Sequence, residues 1–248
     1  MYITAILLAA GKGQRFKSRI PKPLVKLGEY PIINYSLKVL NRHSLVKDII
    51  LVVNSANEKA MLALVKKSCC KKISCLVLGG ARRQDSVFNA LKKVNAASDL
   101  VLIHDSARPF VKAEEISVLI TRAKRFGAAI LGVPVKATIK EGTRLSAGNT
   151  QAKCCLFVKE TLKRENLWEI QTPQVFDHDL IIRAYQRFGR IDVTDDAALI
   201  EKLGKRVVLV SGSSDNIKIT APGDLIIAEA ILRSKAQSMI KTYREIYE

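Results

Sequence analysis

Strand-like and helix-like runs alternate through the first half of the chain, and that alternation restricts the fold more than any other feature. Continuous apolar runs at residues 3–9, 49–53, 73–78, 100–104 and 128–133 read as buried strands. Between them, helical spacing covers residues 32–40, 58–66 and 85–94, and Ile116, Leu119, Ile120 and Ala123 fall on one helical face. Strands apolar on both faces and separated by helices belong to a mostly parallel sheet covered on both sides. The expected fold is a doubly wound α/β sheet. Ligands of such sheets sit beyond the C-terminal ends of the strands. Three segments gather there: the loop after Ala9, the Gly79-Gly80 turn, and His104-Asp105-Ser106.

The pattern changes at about residues 134–165, where polar and β-prone residues alternate loosely around Gly142, Gly148 and Asn149. This predicts a protruding hairpin arm, too short to be a domain. Order returns with a strand at 171–176, helices around 179–187 and 195–203, and short strands at 207–210 and 216–219. Pro222 then opens a helix through Arg233, a position where proline is tolerated. The expectation is one domain over residues 1–233 including the arm, followed by a helical tail at 234–248. In the tail, Met239, Tyr243 and Ile246 share a face suited to surface packing or a subunit contact.

Composition narrows the function. At 248 residues, 48% apolar and 26% charged, the chain is in the globular range. It has no apolar stretch of the roughly 18 residues that a membrane span needs. Met1 leads directly into a strand, so neither a membrane nor a secretory signal is expected and the setting is read as cytoplasmic. The five cysteines, two pairs of them adjacent in sequence, form no disulfide framework and no C-x-x-C metal pattern. The net charge of +18 points to phosphate, carried either by nucleic acid or by small polyanionic substrates. No aromatic-studded RNA motif, zinc finger or heptad zipper accompanies that charge.

The segment LLAAGKGQRF follows the first strand directly. Ala9, Ala10, Gly11 and Gly13 are small enough for backbone N–H groups to close on an anion. Lys12, Arg15 and, further on, Lys22 add full positive charges. A Walker A loop would need Ser or Thr after the lysine, but Gly13 stands there. A dinucleotide fingerprint would want a small residue at Phe16.

With RIPKPL, this segment resembles the nucleotide-binding signature of sugar-phosphate nucleotidyltransferases. Further along come GGARRQDSV, HDSARPF, NLWEIQTPQVF, VTDDAAL and DNIKIT, in that order. Together they resemble the 2-C-methyl-D-erythritol 4-phosphate cytidylyltransferase family over residues 3–232. The resemblance implies a Rossmann-like nucleotidyltransferase fold whose arm serves dimerisation. It also implies transfer of CMP from CTP to methylerythritol phosphate, with Mg²⁺ as the divalent cation, no nucleic acid partner, and a homodimer in which the arm completes the partner's pocket.

By the same resemblance, Arg15, Lys22 and Lys218 are the catalytic cations. Ala9, Ala10, Gly11, Gly13, Arg15, Lys22, Gly80, Ser86 and Asp105 bind CTP, with Gly79 beside them. Asp105, Arg108, Thr138, Arg164, Thr172, Thr194 and Lys218 bind the acceptor substrate, and Lys163 is an alternative to Arg164. Arg83 either matches the family's arginine or forms a salt bridge at a helix start. No side chain is assigned to the metal, which the phosphates would hold, with Asp105 the candidate helper. Alternatives carried forward are a ribitol-5-phosphate cytidylyltransferase, a basic nucleic-acid-binding protein and an inactive relative.

Overall fold

The structure, a computed structural model, describes residues 1–11, 13, 16, 18, 20–68, 70–143 and 156–247, with side chains up to residue 237. In chain order the strands are β1 (Ile3–Leu8), β2 (Lys26–Leu27), β3 (Tyr30–Pro31), β4 (Val46–Val53), β5 (Ile73–Leu78) and β6 (Leu100–Asp105). They continue with β7 (Ala128–Pro134), β8 (Lys140–Thr143), β9 (Phe157–Thr161), β10 (Trp168–Asp177) and β11 (Val208–Ser211). The helices are α1 (Ile32–Arg42), α2 (Glu58–Lys67), α3 (Arg83–Leu91), α4 (Ala113–Phe126), α5 (His178–Phe188), α6 (Ala197–Lys202) and α7 (Pro222–Tyr247).

Seven strands form one sheet in the order β11-β7-β10-β6-β1-β4-β5. β1 lies parallel to both β4 and β6, β4 to β5, and β11 to β7, while β10 runs antiparallel to both of its neighbours. The doubly wound, mostly parallel sheet expected from the alternating runs is therefore present. The chain builds outward from β1 through β4 to β5, then returns to place β6 on the other side of β1. That reversal opens a crevice between the C-terminal ends of β1 and β6.

Side-chain alternation along the strands supplies a core on each face. Ile3, Ala5 and Leu7 of β1 join Leu37 of α1, Met61 of α2 and Ile116 of α4 on one face. Ile6 joins Val87 of α3, Ile181 of α5 and Ile200 of α6 on the other. Each of the larger side chains among them, removed from water, contributes about 1.5–3 kcal/mol. A third, smaller cluster of Phe16, Leu27, Ile32, Phe110, Ile219 and Ala228 ties α7 to the β2–β3 hairpin beneath the crevice.

β8 and β9 pair as a separate two-stranded antiparallel ribbon, so the predicted arm is a hairpin. The turn residues Gly148 and Asn149 and the cysteines Cys154 and Cys155 lie outside the described residues. Two boundaries differ from expectation. The predicted strand at 216–219 is irregular backbone, because its hydrogen-bonding groups serve the site described below. The helix predicted to end at Arg233 continues to Tyr247 with no Gly or Pro to stop it, so the tail is an extension of α7.

Candidate active site

A cavity of about 380 Å³ occupies the crevice between β1 and β6. Its lining brings together Ala9, Ala10, Gly11 and Gly13, Gly80 and Ser86, and Lys22, Asp105 and Lys218. Five segments far apart in sequence thus meet at one place. Arg15, along with Lys12, lies outside the described residues.

The loop after β1 is held by two asparagines that sequence reasoning missed. Asn57 Nδ2 donates to the Ala9 carbonyl and Asn54 Nδ2 to the Ala10 carbonyl, each at 2.9 Å. Each asparagine also accepts the other's backbone N–H at 2.9 Å, so the pair is itself rigid. Asn54 follows directly on the strand predicted at 49–53, at the ligand edge; that position was the available signal. Gly13 has φ of 60°, a left-handed conformation that side chains rarely adopt, and a Cβ there would come to 3.3 Å from Lys22 Cβ. Phe16, where a dinucleotide loop would want a small residue, is instead a buried anchor of the third cluster.

Lys22 begins a single 3-10 turn between Pro21 and Pro23, and its Nζ donates to the Ile219 carbonyl at 3.0 Å. The glycines of the Gly79-Gly80 turn have a packing role. A Cβ on Gly79 would lie 2.5 Å from Ala10 Cβ, and one on Gly80 would lie 2.3 Å from Asp85 Cβ. The Gly80 N–H donates to Ser86 Oγ at 3.1 Å, and that hydroxyl donates to the Arg82 carbonyl at 3.1 Å. Arg82, just before α3, pairs with Asp85 at 2.7 Å.

Arg83, the first residue of α3, forms the salt bridge expected at the helix start and spans two acids, with Nε 3.2 Å from Asp105 Oδ1 and Nη1 2.8 Å from Asp196 Oδ2. Asp196 also accepts from the Tyr185 hydroxyl at 2.5 Å, and Tyr185 stacks on Phe88. Lys218 Nζ reaches the other Asp105 oxygen at 2.5 Å. Burial alone would raise the Asp105 carboxyl, but the charges of Arg83 and Lys218 outweigh it and hold the group well below the usual carboxylate range. Asp105 is therefore ionised throughout the neutral range.

Behind Asp105 lies a relay through His104 and Thr172 whose roles the sequence did not show, although His104 falls in the ligand-edge segment and Thr172 in the acceptor set. The Asp105 N–H donates to Thr172 Oγ1 at 3.0 Å, which leaves the Thr172 hydroxyl proton for His104 Nδ1 at 3.1 Å. His104 Nε2 then donates to the Arg108 carbonyl at 3.1 Å. Both ring nitrogens are used in the neutral tautomer, and burial lowers the imidazole pKa to about 4. This fully buried histidine sets the backbone of the HDSAR loop.

The remaining predicted positions are not brought to the cavity wall of this single chain. Thr172 is buried in the His104 relay. Arg108 is buried as well, its guanidinium donating to the carbonyls of Asn216 (2.7 Å) and Ile170 (3.3 Å). Thr138, Arg164, Thr194 and the alternative Lys163 are exposed, and Arg164 Nη1 donates to the Lys136 carbonyl at 2.6 Å at the base of the arm. Asn216 Nδ2, donating to Gln171 Oε1 and the Thr172 carbonyl, replaces the strand pairing expected at 216–219.

The model of the 2-C-methyl-D-erythritol 4-phosphate cytidylyltransferase family matches residues 3–234. The chain belongs to that family. An enzyme of this name from Alkaliphilus oremlandii is 41% identical, the match covering 94% of this chain and 96% of the relative. A bifunctional enzyme IspD/IspF from Desulfotalea psychrophila is 43% identical over 95% of this chain, which spans only 58% of that longer protein. Among solved structures, the 4-diphosphocytidyl-2C-methyl-D-erythritol synthase of Anaerococcus prevotii is similar with a TM-score of 0.79 at 31% identity, over 94% of this chain and 96% of that one. The convergence of Gly-rich loop, lysines and Asp105 thus occurs in a fold shared along nearly the whole chain.

Proposed function

We propose that the protein is a CTP-dependent cytidylyltransferase acting on 2-C-methyl-D-erythritol 4-phosphate in isoprenoid precursor synthesis. A phosphate oxygen of the acceptor attacks the α-phosphorus of CTP. The new O–P bond forms as the bond to the β-phosphate oxygen breaks, and its electron pair leaves with pyrophosphate. The attacking phosphate is largely dianionic at neutral pH, its second pKa being about 6, so no general base is needed. The protein's work is to hold two polyanions in line and offset the charge that builds on the α-phosphate oxygens.

One observation carries this reading: Lys22 and Lys218, 196 positions apart in sequence, line the same cavity as the small-residue loop after β1. In the proposed arrangement that loop and Lys22 face the triphosphate, and Arg15, outside the described residues, keeps the catalytic role that the family resemblance implies. Gly80 and Ser86 face the nucleoside, and Lys218 and Asp105 lie between nucleotide and acceptor. Arg108, Thr138, Arg164, Thr172 and Thr194 serve the acceptor in a homodimer whose arm reaches the neighbouring subunit.

A divalent cation, expected to be Mg²⁺, fits as a passenger on the triphosphate. Asp105 is the one carboxylate on the cavity wall among the described residues, and no cluster of three metal-ligating side chains is found there. Such an ion, bound chiefly through phosphate oxygens with Asp105 as the protein's contribution, would neutralise phosphate charge. A pyrophosphate-release assay with CTP, run side by side with methylerythritol phosphate and ribitol 5-phosphate, tests the assignment. Methylerythritol phosphate is expected to be the preferred acceptor by at least tenfold in kcat/KM. Lys22→Ala should lower kcat by more than a hundredfold while leaving the circular dichroism spectrum unchanged, because the lost charge acts in the transition state.

A further inference from the structure

Both lysines on the cavity wall among the described residues depend on one short stretch of chain. Lys218 sends its ammonium to Asp105. Ile219 buries its side chain in the third cluster while its carbonyl accepts from Lys22 Nζ at 3.0 Å. Thr220 lines the cavity. This stretch belongs to no strand, so no ladder sets its position. Upstream, the Ile219 N–H donates to the Ala107 carbonyl at 2.9 Å.

Downstream, the stretch is held by a carboxylate. Asp224 Oδ2, in the first turn of α7, accepts from the Thr220 N–H (2.7 Å), the Thr220 hydroxyl (2.7 Å) and the Ala221 N–H (2.8 Å). Two of those three bonds go to Thr220, outside the helix. α7 is itself packed against the β2–β3 hairpin through the third cluster.

We propose that Asp224 is a positioning residue for cytidylyl transfer, fixing residues 218–220 to α7 so that the Lys22 and Lys218 ammonium groups stand at their places on the cavity wall. This rests on the cytidylyltransferase reading above. The bond from the Thr220 hydroxyl is the main influence lowering the Asp224 carboxyl pKa, and the charge of Lys22 adds to it. A misplacement of about 1 Å at a reacting centre can cost roughly a hundredfold in rate.

The experiment compares Asp224→Ala and Asp224→Asn with the unaltered enzyme in steady-state kinetics. Acetylation of Lys22 by acetic anhydride, followed by peptide mass spectrometry without substrate, runs in parallel. Asp224→Ala should lower kcat at least tenfold per folded molecule, change the KM for CTP less than threefold, and raise Lys22 acetylation at least threefold. Asp224→Asn, which keeps an acceptor oxygen, should recover kcat to within threefold of the starting enzyme. Asp224→Ala values within twofold for both kcat and acetylation overturn the proposal, as does a kcat loss that only follows the folded fraction. If the unaltered enzyme released no pyrophosphate, the functional assignment would fail, yet the acetylation result would still decide whether Asp224 holds Lys22.

Discussion

Asp105 meets two cations with its two oxygens, Lys218 on one and Arg83 on the other, while its N–H is spoken for by Thr172. Each contact fixes a different thing: Lys218 is placed on the cavity wall, Arg83 joins the site to buried Asp196, and Thr172 passes the constraint to His104. Asp105→Asn keeps the shape but removes the charge, leaving Arg83 with Asp196 alone. The expected outcome is a loss of about 1–3 kcal/mol in urea unfolding, the range for a buried group deprived of its partner. In the pyrophosphate assay kcat/KM should fall at least a hundredfold. Activity within threefold of the original would show that Lys218 does not need its counter-charge. At this scale the lysines were legible from their motifs. His104 was legible only as a member of the ligand-edge segment; its role was not, because a histidine closing an apolar run looks like filler until its hydrogen-bond partners, Thr172 and Arg108, are seen.

The arm is the element with most to show. On β9 and just before it, Leu156, Phe157 and Val158 are 69%, 42% and 63% exposed, an apolar strip on a two-stranded ribbon. Isolated ribbons of this kind are marginal in water and gain by packing against something. Val158→Asp should therefore shift the proposed homodimer toward monomer in analytical ultracentrifugation, with the main sheet's melting temperature changed by less than a few degrees. An unaltered dimer would place the subunit contact elsewhere. Strand and helix existence was readable from periodicity, since both faces of β1 and β4 are buried and their runs are continuous. Strand direction was not, because an antiparallel strand covered on both faces has the same apolar pattern as a parallel one. The segment at 216–219 misled for a related reason: alternating residues implied a ladder that Asn216 and Arg108 replace with side-chain bonds.

For the whole molecule, pH is the telling variable. His104 is neutral in the fold because burial lowers its pKa to about 4, whereas in an unfolded chain it titrates near 6.5. Below about pH 6.5 the unfolded state binds a proton that the folded state refuses. Stability contributed by this group is thus complete above that pH and is lost as pH falls toward 4, by about 3 kcal/mol in all. Urea unfolding at pH 7 and pH 4.5 should show the decline, and His104→Gln should flatten the difference between the two. Equal slopes in both proteins would remove His104 as the cause. The global architecture also explains where the arm stands. β10 runs against its neighbours, so the chain leaves β7 and re-enters through β10 at one and the same rim, the rim that carries the cavity-lining loops. The intervening 33 residues, 135–167, form the connector of an oversized hairpin, not a crossover. Their length is free to drift without rethreading the sheet, which makes this rim the natural place for new contacts between subunits to be tried and discarded.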